Sequence, residues 1–557
     1  MKKIMILYIA TCFFVFQFPL CLFAQDLDLD WEIHIGGPGF DVTRVSCTDD
    51  LGNIYFTGFF QDTVFINGNM YVAKGKADIF TIKADLHGNI MWVNTAGSNY
   101  CRENLIFEMG NGIDVDENSD VYICGTFASL STFESESVRS NGGKDIFIAK
   151  YHGETGKLIW VKNIGGKGHD IVSDLCIDRS DNIVLTGNIS PGAKFGESIC
   201  NNNSTVSFVS KLDEKGNFLW LKYIEGTGYL EGVSAITDKL NNIYWGINFR
   251  DGIKSKKEII LSKGDGDIYI EKLSAEGELL WQNHLFGEQT VRMSFLDLSL
   301  GNEIIITGSF MGKMKFGSKS IEAVGQKDIF LCKCNEKGEL IWLKSAGGYM
   351  NDIAKAEFCN SRGEVYLAGE FQGRAFFDQD TLHANENTDL FIAKYSIDGN
   401  LIYVQKLDHG LHKHISSIVG DPLSNIYLSG GFKKQITFGD ELLSSVGKSD
   451  LFITRILDHE IYKDALVNVE SDISNPKIKL FKINPNPTSG ILNIEFSSLL
   501  NSEVEIKVTN VFGRTTALNF DKSHQPFSVD LSPYPKGIYL LTITTNSKVY
   551  TEKIILQ

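Results

Sequence analysis

Three histidines fall within six residues at His409-Gly-Leu-His412-Lys-His414, and imidazole is the commonest side-chain metal ligand. Their spacing fits no helical zinc motif. The segment follows a strand around Tyr403, so it reads as a solvated loop leading into the next strand. Asp114-Val-Asp116-Glu-Asn118-Ser-Asp120 offers oxygens at alternate positions, as a calcium loop does, but lacks the later Gly and the bidentate Glu. Asp and Asn are also what a hairpin turn selects. Cys332 and Cys334 lie two apart on a strand and face one side, without the second pair or the His that a zinc set needs. No Gly-x-Ser-x-Gly elbow or His-Glu-x-x-His helix occurs, and spacing identifies no paired-carboxylate site. No metal, no cofactor and no catalytic residue follows from these motifs.

A repeat positions nearly all of these residues. Segments of the type Asp-Ile-Phe-Ile-Ala-Lys begin at Asp78, Asp145, Val206, Asp267, Asp328, Asp389 and Asp450, spaced first by 67 residues and then always by 61. Trp31, Trp92, Trp160, Trp220, Trp281 and Trp342 form a second series, with Tyr403 in the seventh place. Segments like Asn-Ile-Tyr-Phe-Thr-Gly form a third, near Asn53, Asp120, Asn182, Asn242, Glu303, Glu364 and Asn425. Each unit holds four strand signals separated by turns. In the third they are Ile171 to Ile177, Asn182 to Thr186, Val206 to Lys211 and Phe218 to Lys222. Four antiparallel strands repeated seven times predict an all-β, seven-bladed propeller. The Trp31 strand precedes the first full unit, and the Asp450 strand has no Trp strand after it. Pairing the two closes the ring and hides two open edges. The Trp positions then read as packing between blades.

Composition agrees. The 557 residues carry 53 Gly but 10 Pro, and 69 acidic against 53 basic side chains give a net charge of −16. Such a surface repels phosphate backbones, which excludes a nucleic-acid partner. Lys2, Lys3 and the apolar run from Ile4 to Phe23 read as a secretory signal over 1–24, cleaved after Ala24. No later stretch is apolar and long enough to span a membrane. Cys47, Cys176 and Cys359 recur on one repeated strand, which argues for core residues rather than a disulfide framework.

The repeat register also points to the blade-to-blade loops, a face propellers commonly use. There stand Asp41, Tyr100, His169, Asp170, Tyr229, Tyr349 and Asp352. Ten residues past each Trp, the series reads Asp41, Arg102, Asp170, Leu230, Val291, Asp352 and Lys413. The Asp residues either hold their own turns or, with the aromatics, form a rim that contacts a glycan or a protein.

Two resemblances follow from these motifs. The pattern Gly-Asn-Ile-Tyr, then Asp-Ile-Phe-Ile-Ala-Lys, then Gly-x-Leu-Ile-Trp, covering residues 26 to about 458, resembles the SBBP propeller repeats of exported bacterial proteins. That resemblance implies a fold and no activity. Glu154-Thr-Gly-Lys-Leu-Ile-Trp160 resembles the docking repeat of quinone-dependent dehydrogenase propellers. Only this unit shows it, and those enzymes usually have eight blades, so shared packing accounts for it.

Residues 459–477 read as a linker, and 478–557 as a small β-sandwich with alternating strands. Within that last segment Pro485-Asn-Pro-Thr-Ser-Gly490, Val511-Phe-Gly513 and Lys536-Gly-Ile-Tyr539 resemble the type A C-terminal sorting domain of type IX secretion substrates. Ile483 replaces the aromatic often found ahead of Pro-Asn-Pro. The resemblance implies export in two steps, to the medium or the outer cell surface, through the type IX machinery. The expected domains are therefore 1–24, 25–458, 459–477 and 478–557. The expected role is a secreted or surface-attached binding scaffold. An extracellular polysaccharide hydrolase or lyase and an adhesive structural protein are the alternatives.

Overall fold

A computed structural model describes residues 28–98, 108–255, 258–299, 301–385, 388–407, 413–421, 425–438, 441–457, 481–484, 490–496, 505–510, 515–517, 527–532, 537–545 and 548–556. Among them every regular element is a β-strand, and no helix is long and apolar enough to cross a membrane. The expected leader and linker lie outside the described residues. So do Tyr100, His409 and His412.

The repeat unit is a four-stranded antiparallel meander. In the third unit Ile171–Ile177, Ile183–Ile189, Val206–Leu212 and Phe218–Gly226 pair in chain order. Third strands are covered on both faces, so all seven residues of Val206–Leu212 are buried, Ser207, Ser210 and Lys211 included. Fourth strands lie at the edge of the meander and alternate. Leu219 is exposed while its neighbour Trp220 is half-buried. Every first strand carries a bulge at the same place, for instance between Val172 and Asp174 and between Thr43 and Val45, which bends the strand and sharpens its twist.

Asp28–Ile35 pairs antiparallel with Asp450–Leu457, with Ile33 opposite Ile453. The Trp31 strand therefore completes the sheet built by His414–Gly420, Ile426–Phe432 and Asp450–Leu457. That last sheet also meets the first. The Ser46 hydroxyl bonds the Ser417 hydroxyl at 2.9 Å, and Thr48 Oγ1 donates to the Gly420 carbonyl at 2.8 Å. Successive first strands are stitched in a related way. The Asp114 carboxylate accepts from Ile177 N, Asp174 from the Ser234 hydroxyl and Asp297 from Cys359 N, each at 2.8 Å.

The longer second-to-third-strand connections fold into hairpins that the sequence pattern did not reveal. Examples are Gly252–Ser255 with Glu258–Leu261, and Lys313–Phe316 with Lys319–Glu322. Three of them pair with the fourth strand of the preceding unit: Glu225 with Lys254, Phe286 with Lys315, and Gly347 with Phe376. In the second unit the hairpin is continuous with the long strands Val121–Phe133 and Glu136–Tyr151.

A repeated clasp joins neighbours. The Trp of one fourth strand donates its indole N–H to a carbonyl in the third-to-fourth-strand turn of the next unit: Trp31 to Leu86, Trp92 to Gly153, Trp220 to Ala275, Trp281 to Glu336 and Trp342 to Ile397, all at 2.9–3.1 Å. The same turn ends in a glycine with positive φ, such as Gly88 (+81°), Gly277 (+85°) or Gly399 (+77°), over which the indole lies. Only glycine satisfies both demands, the left-handed backbone and the close ring.

In the C-terminal region Phe481–Asn484, Ile491–Phe496 and Phe527–Asp530 form one antiparallel sheet. Thr515–Ala517, Glu505–Asn510, Gly537–Thr545 and Lys548–Leu556 form a second. Leu492, Ile494, Val508, Val529, Leu541 and Ile554 are buried.

Candidate functional site

The three aspartates of the expected rim are fully buried, and each ties a loop. Asp170 accepts from Ser190 N at 2.6 Å and Gly166 N at 2.7 Å. Asp352 accepts from Gln372 N at 3.1 Å and Gly348 N at 2.7 Å, and Asp41 from Gln61 N at 3.2 Å. Of the turn and rim readings, their geometry is that of the turn. Burial pushes the Asp41 carboxyl up to about 7 and that of Asp352 up to about 6.

The aromatic members do reach solvent. Tyr349 is 71% exposed and Tyr229 is 46% exposed. Arg292 of the next unit stacks on Tyr229, donates to its hydroxyl at 2.6 Å and pairs with Glu231 at 2.6 Å. His169 is exposed, and its Nδ1 accepts from Lys144 N. These side chains sit at three different unit junctions and do not converge.

Counting from Trp misplaced one member of the series. The second unit has a six-residue-longer spacing, and there Glu108, not Arg102, directly precedes the first strand Met109–Val115. Glu108 is buried, accepts from the Ser131 hydroxyl at 2.6 Å, and is pushed up to about 7 by burial. A register counted from the bulge instead of the Trp would have found it.

The described residues of the motifs that resembled metal sites have partners within the fold. Asp116 accepts from Asn118 N, Asp120 N, the Tyr122 hydroxyl and Lys150 Nζ. That arrangement recurs at Asp49 and Asp238 and closes the hairpin turn. Cys332 and Cys334 are core residues, and the seven described cysteines are all free thiols. Burial pushes the Cys124, Cys176 and Cys332 thiols well up, so they are poor nucleophiles. His414 opens a first strand, and burial pushes its imidazole down to about 4. No group of three or more His, Cys, Asp or Glu suited to a metal occurs among the described residues.

A cavity of about 600 Å³ does open between the second and third units. Its floor is apolar, with Ile148, Ile164, Phe195 and Leu212 all buried. Its walls carry Lys162, Asn163, Glu197, Ser198 and Asn217. Lys162 Nζ donates to the Asn217 amide oxygen at 3.1 Å and lies 5.6 Å from the Trp160 ring centroid. Burial lowers the Lys162 ammonium from its ordinary value. Trp160 packs against Gly216 but makes no indole bond to the turn, unlike the five clasps described above. The cavity thus lies at a junction whose Trp lacks that bond. Sequence periodicity hid it, because it arises from a departure from the repeat.

Residues 482–557 match the secretion system C-terminal sorting domain. This makes the protein a secreted or outer-surface one, addressed to the type IX secretion machinery. The chain is also similar to an uncharacterized WD repeat-containing protein of Acanthamoeba polyphaga mimivirus, 20% identical over 519 residues. That alignment covers 74% of this chain, which spans about a third (36%) of the relative's length. Solved structures that align with it include an ACO/RPE65 chimera, at 10% identity, 78% of this chain, 94% of that chain and TM-score 0.35. Another is the acylaminoacyl peptidase of Pyrococcus horikoshii, at 12% identity, 70% of this chain, 58% of that chain and TM-score 0.26. At these TM-scores neither carries an argument here.

Proposed function

We propose that the repeats form a closed seven-bladed β-propeller of the SBBP type, followed by a small β-sandwich sorting domain. The domain limits are those expected above, with a cleaved leader over 1–24. The meander repeated through the chain, the Trp clasps and the pairing of Asp28–Ile35 with Asp450–Leu457 support the propeller reading. On this reading the propeller is a binding scaffold displayed outside the cell, and its ligand is a glycan.

The observation that carries the binding role is the cavity beside Lys162, whose roughly 600 Å³ falls in the range of small-ligand sites. An apolar floor rimmed by two amides, a hydroxyl, an ammonium and a carboxylate suits the mixed apolar and hydroxyl faces of a sugar. Glycosidases need two carboxylates flanking the bond, and Glu197 is the single one lining the cavity. The exposed Tyr229 and Tyr349 are left as secondary contacts.

A glycan array probed with the exported chain tests this. Lys162→Ala with Asn217→Ala should weaken the bound glycan about tenfold or more, on the order of two lost hydrogen bonds. Tyr349→Ala should change it little. Binding unaffected by the cavity substitutions, capture of proteins but no glycan, or turnover of a polysaccharide would each overturn the reading.

A further inference from the structure

Each unit junction brings together two equivalent positions. One is the first residue of a third strand; the other directly precedes the bulged part of the next unit's first strand. In six units the first is a buried Asp whose Oδ2 accepts a loop amide: Lys74 N to Asp78, Asn141 N to Asp145, Lys263 N to Asp267, Val324 N to Asp328, Asn385 N to Asp389 and Val446 N to Asp450. What differs is how the carboxylate's charge and its second oxygen are met.

At five junctions a base offsets the charge, a second amide meets the oxygen, or the acid is absent, although Asp267 Oδ1 and Asp450 Oδ1 also lack a hydrogen-bond partner. Asp389 Oδ1 receives the ammonium of Lys413 at 3.1 Å, and both side chains are buried. His284 stands 2.7 Å from Asp267, and His34 2.7 Å from Asp450. Asp78 Oδ1 accepts a second amide, Gly75 N. In the third unit Val206 replaces the Asp, and Leu230 faces it from the fourth.

The remaining two junctions join Asp145 to Asp170 and Asp328 to Asp352. Here an acid occupies the place that Lys413 holds, as Asp41 does beside Asp450 and Glu108 beside Asp78, but neither the histidine that meets Asp450 nor the second amide that meets Asp78 Oδ1 has a counterpart. Among the described residues no salt bridge reaches any of the four. Asp145 Oδ1 and Asp328 Oδ1, the atoms equivalent to the Lys413-bound oxygen of Asp389, are buried without a partner. Both third-strand Asp residues are 2% exposed or less, and both partners are fully buried. A glycine on the intervening fourth strand, Gly165 or Gly347, makes room for the carboxylate. A Cβ there would stand 2.4 or 2.7 Å from its Cγ. The charges repel: each pair raises one member's carboxyl, to about 7 for Asp145 and about 6 for Asp352, beyond what burial does.

We propose that the Asp145–Asp170 and Asp328–Asp352 junctions each hold one calcium ion, in the role that the Lys413 ammonium plays beside Asp389. Two buried carboxylates are a hard, oxygen-only donor set, with water completing the shell, which favours Ca²⁺ over transition metals. Two protein ligands make a weak site, of the roughly 10⁻⁴–10⁻³ M class typical of extracellular modules, and this chain works outside the cell. The ion would join adjacent units across their shared edge.

Equilibrium dialysis of the exported chain against 1–10 mM Ca²⁺, after chelation, measures it. Wild type should bind about two ions with half-saturation in that class. Asp352→Asn and Asp352→Lys should each lose one equivalent, and Asp145→Asn the other. Asp352→Lys copies Lys413, so it should stay folded and shows that the loss is not unfolding. No saturable calcium in wild type, or full stoichiometry in both Asp352 variants, would sink the proposal.

Discussion

Replacing Gly399 by Ala tests whether the indole clasp is what makes the turn glycines obligatory. Gly399 has φ +77°, and a Cβ there would lie 2.7 Å from Trp342 Cδ2. The left-handed backbone alone costs an L-residue about 1–2 kcal/mol. The indole must also move, and its N–H then leaves the Ile397 carbonyl, now 3.0 Å away. That adds about 1 kcal/mol for the bond and about as much again for disturbed packing of a ring that is only 6% exposed. Gly68 is an internal control, because its φ is also +77° and a Cβ there meets nothing within 4 Å. Gly68→Ala should cost about 1–2 kcal/mol and Gly399→Ala about 3–4. Both changes stiffen the unfolded chain equally, so that contribution cancels in the difference. Urea unfolding followed by tryptophan fluorescence, with unchanged slope, gives the two values. If they agree within about 0.5 kcal/mol, the clasp argument fails and the glycines serve backbone geometry alone.

Other outcomes follow from the same geometry. Lys413→Met should destabilise by about 1–3 kcal/mol, because it leaves the buried Asp389 Oδ1 unmet with Lys406, 3.5 Å from Oδ2, as its remaining cation; adding Asp389→Val, which copies the Val206–Leu230 junction, should recover most of that in chemical denaturation. In chelator, stability should fall as pH rises from about 4 to 7, because Asp145 and Asp352 keep their protons in the folded chain to about 7 and about 6 but lose them near 4 when unfolded; Asp145→Asn should flatten that slope in melts taken across the range. His414 acts oppositely: depressed to about 4, it stabilises above the ordinary value near 6.5, and that stability is lost as pH falls through about 4, so His414→Gln should remove the acid-side decline. The Cys124 and Cys332 thiols should resist alkylation in the native chain, since both are buried and free, and reductant should leave the melting point unchanged; a fall of several degrees would reveal a disulfide.

Much of this architecture was written in the period. The Trp, Asp and Asn-Ile-Tyr series locate strands, because each repeats a packing demand, and they even located the partner of the Trp31 strand. The inserted hairpins were not visible. Segments such as Lys194–Phe195 and Ser198–Ile199 are too short, and too exposed outside Phe195, to carry an alternating pattern. Glu108 was missed because six extra residues shift the count in one unit only. The acid pairs were out of reach for a different reason. Asp145 and Asp170 are each ordinary turn residues in sequence, and their meaning lies in facing each other where Asp389 faces Lys413. The cavity beside Lys162 is likewise an exception to the repeat, and a reading built on regularity passes over exceptions.

The pairing of the first strand with the last has a kinetic side. Thr454 Oγ1 donates to the Trp31 carbonyl across 423 residues of chain, and closing a loop of that length costs about 5 kcal/mol in chain entropy. A chain emerging from its N-terminus presents Asp28–Ile35 first and must wait for Asp450–Leu457, so the last sheet is completed only when the whole array has appeared. Until then two strand edges stand open to other chains. Refolding should therefore show a slow final phase that shortening the array from within would speed, and a peptide of residues 28–35 supplied in trans should compete for the Asp450 edge during that phase but not after it.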